Sequence, residues 1–288
     1  MQHTQSLKVF KQLVFIALLA VLFGRSWQFL IWDAPLRTLF WDQNLLEPFV
    51  LFFSEMTWSE FVISDALEGF IQNLKLSFGL VLLSTAIACF FVQRFPKLVK
   101  ILLWFSFYIL LFVIFLRAKE KFYQLGQFFE HASQLGVIPL YIAVISNRFE
   151  EHWLRYAKVL VALTFICHGL YAIGYYPRPG NFVDMTIKTL GCTELFSHEL
   201  LFYVGIVDIV VALLIFVPKI AIYVLWYVAF WGLFTAFLRV TTGVYMDFFW
   251  DSFLQVWHTT VYRWVHGLLP LSLIFLHKYY SITAPSNS

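Results

Sequence analysis

Polar and ionisable side chains interrupt the apolar stretches of this 288-residue chain at similar depths. A charged group is costly in hydrocarbon, so each such residue is a candidate for a functional role. They gather toward one end of the apolar stretches, where helices that share a depth can direct them at one another. The predicted ligand-binding residues are His168, Glu199, Arg239, His266, Asp208, Tyr171, Arg25, Asn73 and Arg117.

The second half of the chain offers an acid–base pair beside two imidazoles. Glu199 and Arg239 are predicted to pair, because each would keep the other charged in a low dielectric. Asp208 lies nearer the middle of its apolar stretch and needs a partner or a proton. Such a set predicts a polar pocket with aromatic walls, suited to the head group of a quinone or lipid. The competing interpretation is that these side chains only neutralise one another and set helix register.

Other chemistries receive less support from the residues present. His168 and His266 fall at comparable depth on different apolar stretches, as two-histidine haem ligation requires. The first half has no matching pair, which disfavours haem and metal. The three cysteines form no CxxC motif, which weighs against thiol redox chemistry. No P-loop, nucleotide fingerprint or HExxH motif occurs, so no catalytic residue is predicted. No nucleic-acid partner is predicted either, since the net charge of +3 is distributed as membrane topology requires.

The elements that position these residues are predicted to be membrane-spanning helices. The chain is 61% hydrophobic and 13% charged, whereas soluble domains have roughly 25% charged residues. Its apolar runs are continuous and lack the alternation of barrel strands, and their length of about 18 to 22 residues suits helices that cross a bilayer. We predict an all-α polytopic membrane protein with eight spans, at about 12–32, 71–93, 100–117, 132–147, 157–176, 199–218, 219–239 and 262–278.

The span pattern occurs twice in the same order. Gly79, the triplet 115–117 and Pro139 in the first half correspond to Gly205, the triplet 237–239 and Pro270 in the second. An even number of spans per unit makes the two units parallel, which excludes inverted-repeat transporters. The prediction is therefore two tandem parallel four-helix units, residues 1–148 and 149–288.

Charge placement predicts the orientation of the spans. Lys and Arg side chains collect on one side of the predicted helices, with Arg117, Lys119 and Lys121 as the exception, and the 33–70 loop on the other side is acidic. By the positive-inside rule, both termini are cytoplasmic. Residues 36–53 carry apolar groups at near-helical spacing and predict a helix lying in the membrane interface. Residues 245–258 look similar, and the competing interpretation is that both segments simply roof the bundle.

The second half, over roughly residues 157–278, resembles the DoxX-like family of four-helix membrane proteins. The resemblance is carried by the Cys167–Gly174 stretch, by Glu199 ahead of Gly205, and by the Arg263–Pro270 stretch. The first half is similar in layout only, since residues 25–28 replace the His-Gly stretch. The resemblance implies a membrane bundle of the bacterial inner membrane. Members of the family accompany quinone-linked sulfur oxidation or redox maturation systems.

Together these observations predict an accessory, non-enzymatic inner-membrane protein. It would bind membrane lipids or a quinone in a polar pocket of the outer leaflet, beside a redox or envelope protein partner. Three alternatives stay open: a small-molecule transporter or channel, a scaffold subunit of an envelope complex, and an enzyme that uses His as a base on a lipid.

Overall fold

The computed structural model describes residues 2–147 and 150–283, and every regular element in that part of the chain is a helix. A short 3-10 helix at Met246–Phe248 precedes α13. The α-helices are α1 (Gln2–Ile31), α2 (Arg37–Phe40), α3 (Gln43–Phe53), α4 (Trp58–Val62), α5 (Asp65–Cys89), α6 (Pro96–Glu120), α7 (Leu125–Phe129), α8 (Ala132–Ile145), α9 (His152–Ile173), α10 (Gly180–Leu190), α11 (Glu194–Leu214), α12 (Ala221–Gly243), α13 (Phe249–Arg263) and α14 (Val265–Thr283).

Seven helical segments in the described residues are long and apolar enough to cross a membrane. This confirms the prediction of an all-α, multi-pass membrane protein. The predicted eighth span coincides with α14, which has 19 residues but is not among the seven. The count of eight therefore stays a prediction. The seven are Thr4–Ile31, Asp65–Cys89, Pro96–Glu120, Leu125–Ile145, His152–Ile173, Glu194–Leu214 and Ala221–Gly243.

Corresponding helices of the two halves make corresponding contacts. In the first half α1 packs on α5 and α6 on α8; in the second half α9 packs on α11 and α12 on α14. The halves meet where α1 contacts α14 and where α8 contacts α9. This is the packing that a tandem repeat requires, although the boundary predicted at residues 148 and 149 lies outside the described residues. The division into two units stays a prediction.

Small residues set the closest helix approaches in both halves. The Ser26 hydroxyl of α1 donates to the Gly79 carbonyl of α5 at 2.9 Å. At the corresponding contact, a Cβ atom added to Gly205 of α11 would lie 2.7 Å from the carbonyl oxygen of Gly169 on α9. Small residues permit such backbone contact between helices. Each contact fixes the depth of its neighbour in sequence, Arg25 in the first half and His168 in the second.

The two segments predicted to lie in the interface behave differently. In residues 36–53, α3 projects from the bundle, and its Phe52 and Phe53 side chains are 80% and 78% exposed. An ion pair between Lys119 and Asp42 ties this segment to the end of α6. In contrast, α13 buries one face against α1 and α12, so the second segment roofs the bundle.

Candidate functional site

A cavity of about 580 Å³ lies between the two halves, at the end of the bundle where α1, α6, α9 and α12 finish. We call this the arginine cavity. Its charged lining is unbalanced, with six cations against two carboxylates, an excess of four positive charges. The cations are Arg25, Arg117, Lys121, Arg178, Arg239 and Arg263, and the carboxylates are Glu120 and Glu130.

These arginines lie near the ends of their helices, at a similar depth in the bundle. Arg117 lies in the last turn of α6, Arg263 ends α13, and Arg239 lies four residues before the end of α12. Arg25 comes from the last two turns of α1. Residues near the ends of helices that finish on the same face of a bundle share a depth, whichever half of the chain supplies them. The two halves therefore contribute to a single site.

Arg25 is the deepest of the arginines, with 2% of its surface exposed. Its Nε and Nη2 atoms donate to Oε1 of Gln134 at 3.1 and 2.6 Å, and its Nη1 atom donates to Oε1 of Gln28 at 2.9 Å. Both acceptors are neutral amides. The guanidinium also lies 3.9 Å from the ring centroid of Tyr262, which is a cation–π distance. These contacts orient Arg25 without cancelling its charge.

Arg239 and Arg263 are likewise held by neutral acceptors. Arg239 donates from Nη1 to the Thr235 carbonyl of its own helix at 2.9 Å. Arg263 donates from Nη1 to the Thr259 carbonyl and to the Tyr262 hydroxyl, while its buried Nε has no acceptor in the described part of the chain.

Ion pairs account for little of the positive charge in the cavity. Arg117 pairs with Glu120 at 3.1 Å. Among the described residues, no carboxylate oxygen lies within 4.0 Å of the guanidinium of Arg25, Arg239 or Arg263. Partly buried charges without a partner are unfavourable in low dielectric. The arrangement is therefore suited to an anion, and guanidinium groups match the geometry of phosphate and carboxylate oxygens.

Glu130 connects a row of imidazoles at the edge of the cavity. Its Oε1 atom lies 3.6 Å from Nδ1 of His131, and its Oε2 atom lies 3.9 Å from Nε2 of His168. The ring of His168 in turn contacts that of His266, with centroids 5.2 Å apart. Nε2 of His266 is 3.5 Å from Nε2 of Gln134. The row runs from the cavity toward the Gln134 that holds Arg25.

A second pocket adjoins the first. Its volume is about 310 Å³, its walls are mostly apolar, and it lies beneath α10 between α9, α11 and α12. We call it the apolar pocket. His168, Phe182 and Arg239 line both cavities, so they form the shared wall. Asp208 and His266 are the other ionisable side chains that line the apolar pocket.

The structure brings seven of the nine predicted ligand-binding residues to these two cavities. Asp208 and His266 line the apolar pocket. The others line the arginine cavity, where they come from both halves of the chain: Arg25, Arg117, His168, Tyr171 and Arg239.

Two predicted site residues are placed elsewhere. Glu199 and Asn73 are exposed and line neither cavity. The predicted pair between Glu199 and Arg239 is not formed, since Arg239 donates to a backbone carbonyl instead. The physical reason is the direction in which Glu199 points: the buried face of α11 carries Leu201 and Gly205. Glu199, two residues before Leu201, falls on the opposite side.

Sequence reasoning also missed Glu130 as the carboxylate of the site. Glu130 lies between α7 and α8, just before the span predicted at 132–147. Its only sequence signal is the adjacent His131, which forms a Glu-His pair at the start of a span. Tyr262 and Gln134 were missed as well, because an isolated Tyr or Gln in an apolar chain is not distinctive.

The two histidines considered for haem ligation contact each other directly. The rings of His168 and His266 meet edge to face at 73°. This contact leaves no room for a porphyrin between them, so the pair does not fit haem in this arrangement. In residues 2–147 and 150–283, no group of three or more His, Cys, Asp or Glu side chains is placed to hold a metal ion.

Tyr262 of α13 is the acid on which the cavity's charge acts most directly. Burial raises the pKa of its phenol. The positive charges of Arg263, Arg25 and Arg117 outweigh that effect and lower the pKa to about 8. The hydrogen bond from Arg263 Nη1, at 2.7 Å, acts in the same direction. The phenol thus reports the positive potential of the arginine cavity.

We expect Tyr262 to ionise near pH 8, against an ordinary value of 10.0. An acid whose folded-state pKa is lowered stabilises the fold above its unfolded pKa, and that stability is lost as pH falls through the folded value. The free energy of unfolding should therefore rise by roughly 2 to 3 kcal/mol between these two pH values. Tyrosinate difference absorbance, wild type minus Tyr262→Phe, measures the titration. Identical titration curves for the two proteins would contradict the assignment.

No family model matches the chain, and comparisons with curated proteins and with solved structures likewise give no match. The resemblance of the second half to the DoxX-like family therefore stays a prediction.

Proposed function

We propose that this integral membrane protein binds an anionic amphiphile, with the anionic head group in the arginine cavity and the apolar part in the adjoining apolar pocket. The observation that carries the proposal is the set of three guanidinium groups, Arg25, Arg239 and Arg263, that face one cavity without a carboxylate partner in the described residues. A phosphate or carboxylate head group supplies the missing negative charge.

The adjoining pocket favours an amphiphile over a small soluble anion. Arg239 lines both cavities, so a head group that contacts it lies at the mouth of an apolar space of about 310 Å³. That volume is at the lower end of the range for ligand pockets. It suits one hydrocarbon chain better than a whole two-chain lipid.

Charge favours the lipid version of the proposal over the quinone version. A quinone is neutral and would leave the excess positive charge of the arginine cavity without a counter-ion, whereas an anionic lipid neutralises part of it. The membrane would be the bacterial inner membrane with both termini cytoplasmic, so that the cavity faces outward. The role would be accessory to a redox or envelope partner, as the DoxX-like resemblance implies.

The test compares ligands that share one apolar chain. Purified protein is titrated with oleoyl lysophosphatidate or oleoyl lysophosphatidylcholine, and complexes are counted by native mass spectrometry. The phosphate monoester should bind at least about ten-fold more tightly than the zwitterion, since it makes additional charge-assisted hydrogen bonds. Equal affinities would overturn the proposal.

Two further ligands separate the alternatives. Inorganic phosphate, offered at the same concentrations, should compete only weakly with lysophosphatidate, because it cannot use the apolar pocket. If phosphate displaces the lipid fully, the site takes soluble anions and the amphiphile proposal is wrong. If decylubiquinone displaces lysophosphatidate more strongly than lysophosphatidylcholine does, the quinone version replaces it.

A further inference from the structure

The apolar pocket contains one feature that a plain hydrocarbon chain does not explain. Asp208 lines it, with only 5% of the residue exposed. Its Oδ1 atom is buried and has no hydrogen-bond partner in the described part of the chain. Trp231 of α12 lines the same pocket and lies beside the carboxyl group. One acceptor therefore stays unsatisfied beside an apolar space.

An unsatisfied acceptor at this position is unfavourable unless a ligand supplies a donor. Burying a polar group without its hydrogen bond costs stability, and a hydrocarbon chain packed against it would exclude the water that otherwise compensates. Among the described residues, Asp208 is the one carboxylate that lines the pocket. A ligand that donates a hydrogen bond to Asp208 would satisfy the acceptor and gain affinity in the same step.

The donor should be a neutral hydroxyl group. The pocket shares Arg239 with the arginine cavity, where five further cationic side chains also lie. An ammonium group would approach Asp208 through the field of these charges. A hydroxyl group carries a donor without that repulsion.

The positions of Arg239 and Asp208 set the distance between the anionic group and the hydroxyl group of the ligand. Trp231 lies beside Asp208, and Arg239 follows it eight residues later on α12. The guanidinium of Arg239 folds back to Thr235, which is four residues after Trp231. At 1.5 Å of rise per residue, the guanidinium and the Asp208 carboxyl group are separated along the helix by roughly 6 to 12 Å.

We propose that the preferred ligand is an anionic amphiphile whose apolar chain bears a hydroxyl group partway along it, which donates to Asp208 while the anionic end contacts Arg239. This inference rests on the proposed function and adds the chemical identity of the apolar part. It assigns Asp208 the role of selecting hydroxylated chains over unmodified ones.

The test uses three C18 fatty acids that differ in one hydroxyl group: stearate, 2-hydroxystearate and 10-hydroxystearate. The hydroxyl of 10-hydroxystearate falls within reach of Asp208, whereas that of 2-hydroxystearate stays beside the carboxylate. Wild-type protein should bind 10-hydroxystearate about ten-fold more tightly than either of the others, since satisfying a buried acceptor that otherwise lacks a hydrogen bond has that magnitude. Equal affinities for 10-hydroxystearate and stearate would overturn the inference.

Substitution of Asp208 tests whether its carboxyl group causes the preference for 10-hydroxystearate over stearate. In Asp208→Leu, the affinity for 10-hydroxystearate should fall to that of stearate, and the affinity for stearate should not fall. Asp208→Asn keeps a carbonyl oxygen at nearly the same place and should retain part of the preference. Glu199→Leu is the matched control, because Glu199 is an exposed carboxylate of the same helix that lines neither cavity. A preference that survives in Asp208→Leu would overturn the assignment.

The outcomes distinguish this inference from the proposed function. If stearate binds in a manner that depends on Arg239 but the hydroxyl group adds nothing, only the role of Asp208 is wrong. If no fatty acid and no lysophosphatidate binds, the proposed function itself is wrong. Thermal unfolding of each variant in the same detergent confirms that the binding comparison is made on folded protein.

Discussion

Replacing Arg239 and Arg263 together by Gln is expected to lower the affinity for oleoyl lysophosphatidate by at least about 100-fold. Each guanidinium supplies a charge-assisted hydrogen bond worth roughly 1.5 to 3 kcal/mol, and each 1.4 kcal/mol corresponds to a factor of ten. Gln preserves a polar side chain of intermediate length, so the local packing changes little. Native mass spectrometry of the double variant, titrated beside wild type, measures the effect.

The stability of the ligand-free double variant shows whether these arginines serve binding or folding. Because neither guanidinium has a carboxylate partner within 4.0 Å in the described residues, removing both relieves repulsion. Thermal stability without ligand should stay the same or rise. A large loss of stability would mean that the cluster is structural and would contradict the binding role. Arg94→Gln is the control, since Arg94 is exposed and lies outside the cavity.

Gly205→Ala is expected to destabilise the bundle by about 1 to 3 kcal/mol, the usual cost of overpacking a close contact. The added methyl group would lie 2.7 Å from the carbonyl oxygen of Gly169 and 2.9 Å from the backbone nitrogen of Ile173. Both neighbours are backbone atoms and cannot rotate away. Equilibrium unfolding of purified protein in mixed detergent micelles measures the free energy of unfolding.

A second glycine of the chain provides the control. Gly69 lies in α5, and a Cβ atom added there would meet nothing within 4 Å. Gly69→Ala should therefore be neutral or slightly stabilising, since Ala is the better helix former. If both substitutions lower the free energy of unfolding equally, Gly205 is not needed for close backbone packing between α9 and α11. A selective loss in Gly205→Ala should also weaken ligand binding, because the contact positions His168.

Depth along the spans could be predicted from the sequence, but direction around the helix axis was predicted poorly. Residues near the ends of apolar stretches do share a level, and this is why Arg25, Arg117 and Arg239 meet in one cavity. Asn73 and Glu199 share that level too, yet both point away from the bundle. Each precedes the packing glycine of its helix, Gly79 or Gly205, by six residues.

This six-residue spacing indicates the direction in which Asn73 and Glu199 point. Six residues turn an α-helix by 600°, which leaves a side chain about 120° from the glycine face. Counting along each helix from its packing glycine is therefore enough to exclude both residues from the buried face. The buried set of α11 follows steps of three and four from Gly205, which includes Asp208. Asn73 and Glu199 therefore have the same angular position relative to Gly79 and Gly205, and that position lies on an outward face.

The merging of the two polar clusters into one site could not be predicted, because it depends on contacts between the halves. The packing of α1 on α14 and of α8 on α9 brings Arg25 and Glu130 toward His168 and Arg263. Nothing in the periodicity of either half specifies how its partner docks. The all-helical membrane fold was easier to predict, since a lipid environment leaves a continuous apolar run little alternative to a helix.

Because the arginine cavity lies between the two halves, each half supplies only part of its lining. Arg25 and Arg117 come from the first half, and Arg239 and Arg263 from the second, so neither half alone lines the whole arginine cavity. A single four-helix module would have to find a second copy of itself before it could capture a ligand, and occupancy would then vary with expression level. On the predicted division into two four-helix units, covalent linkage would supply the second unit at a high local concentration. It would also free each unit to diverge, so that one carries an imidazole, His168, where the other carries a guanidinium, Arg25.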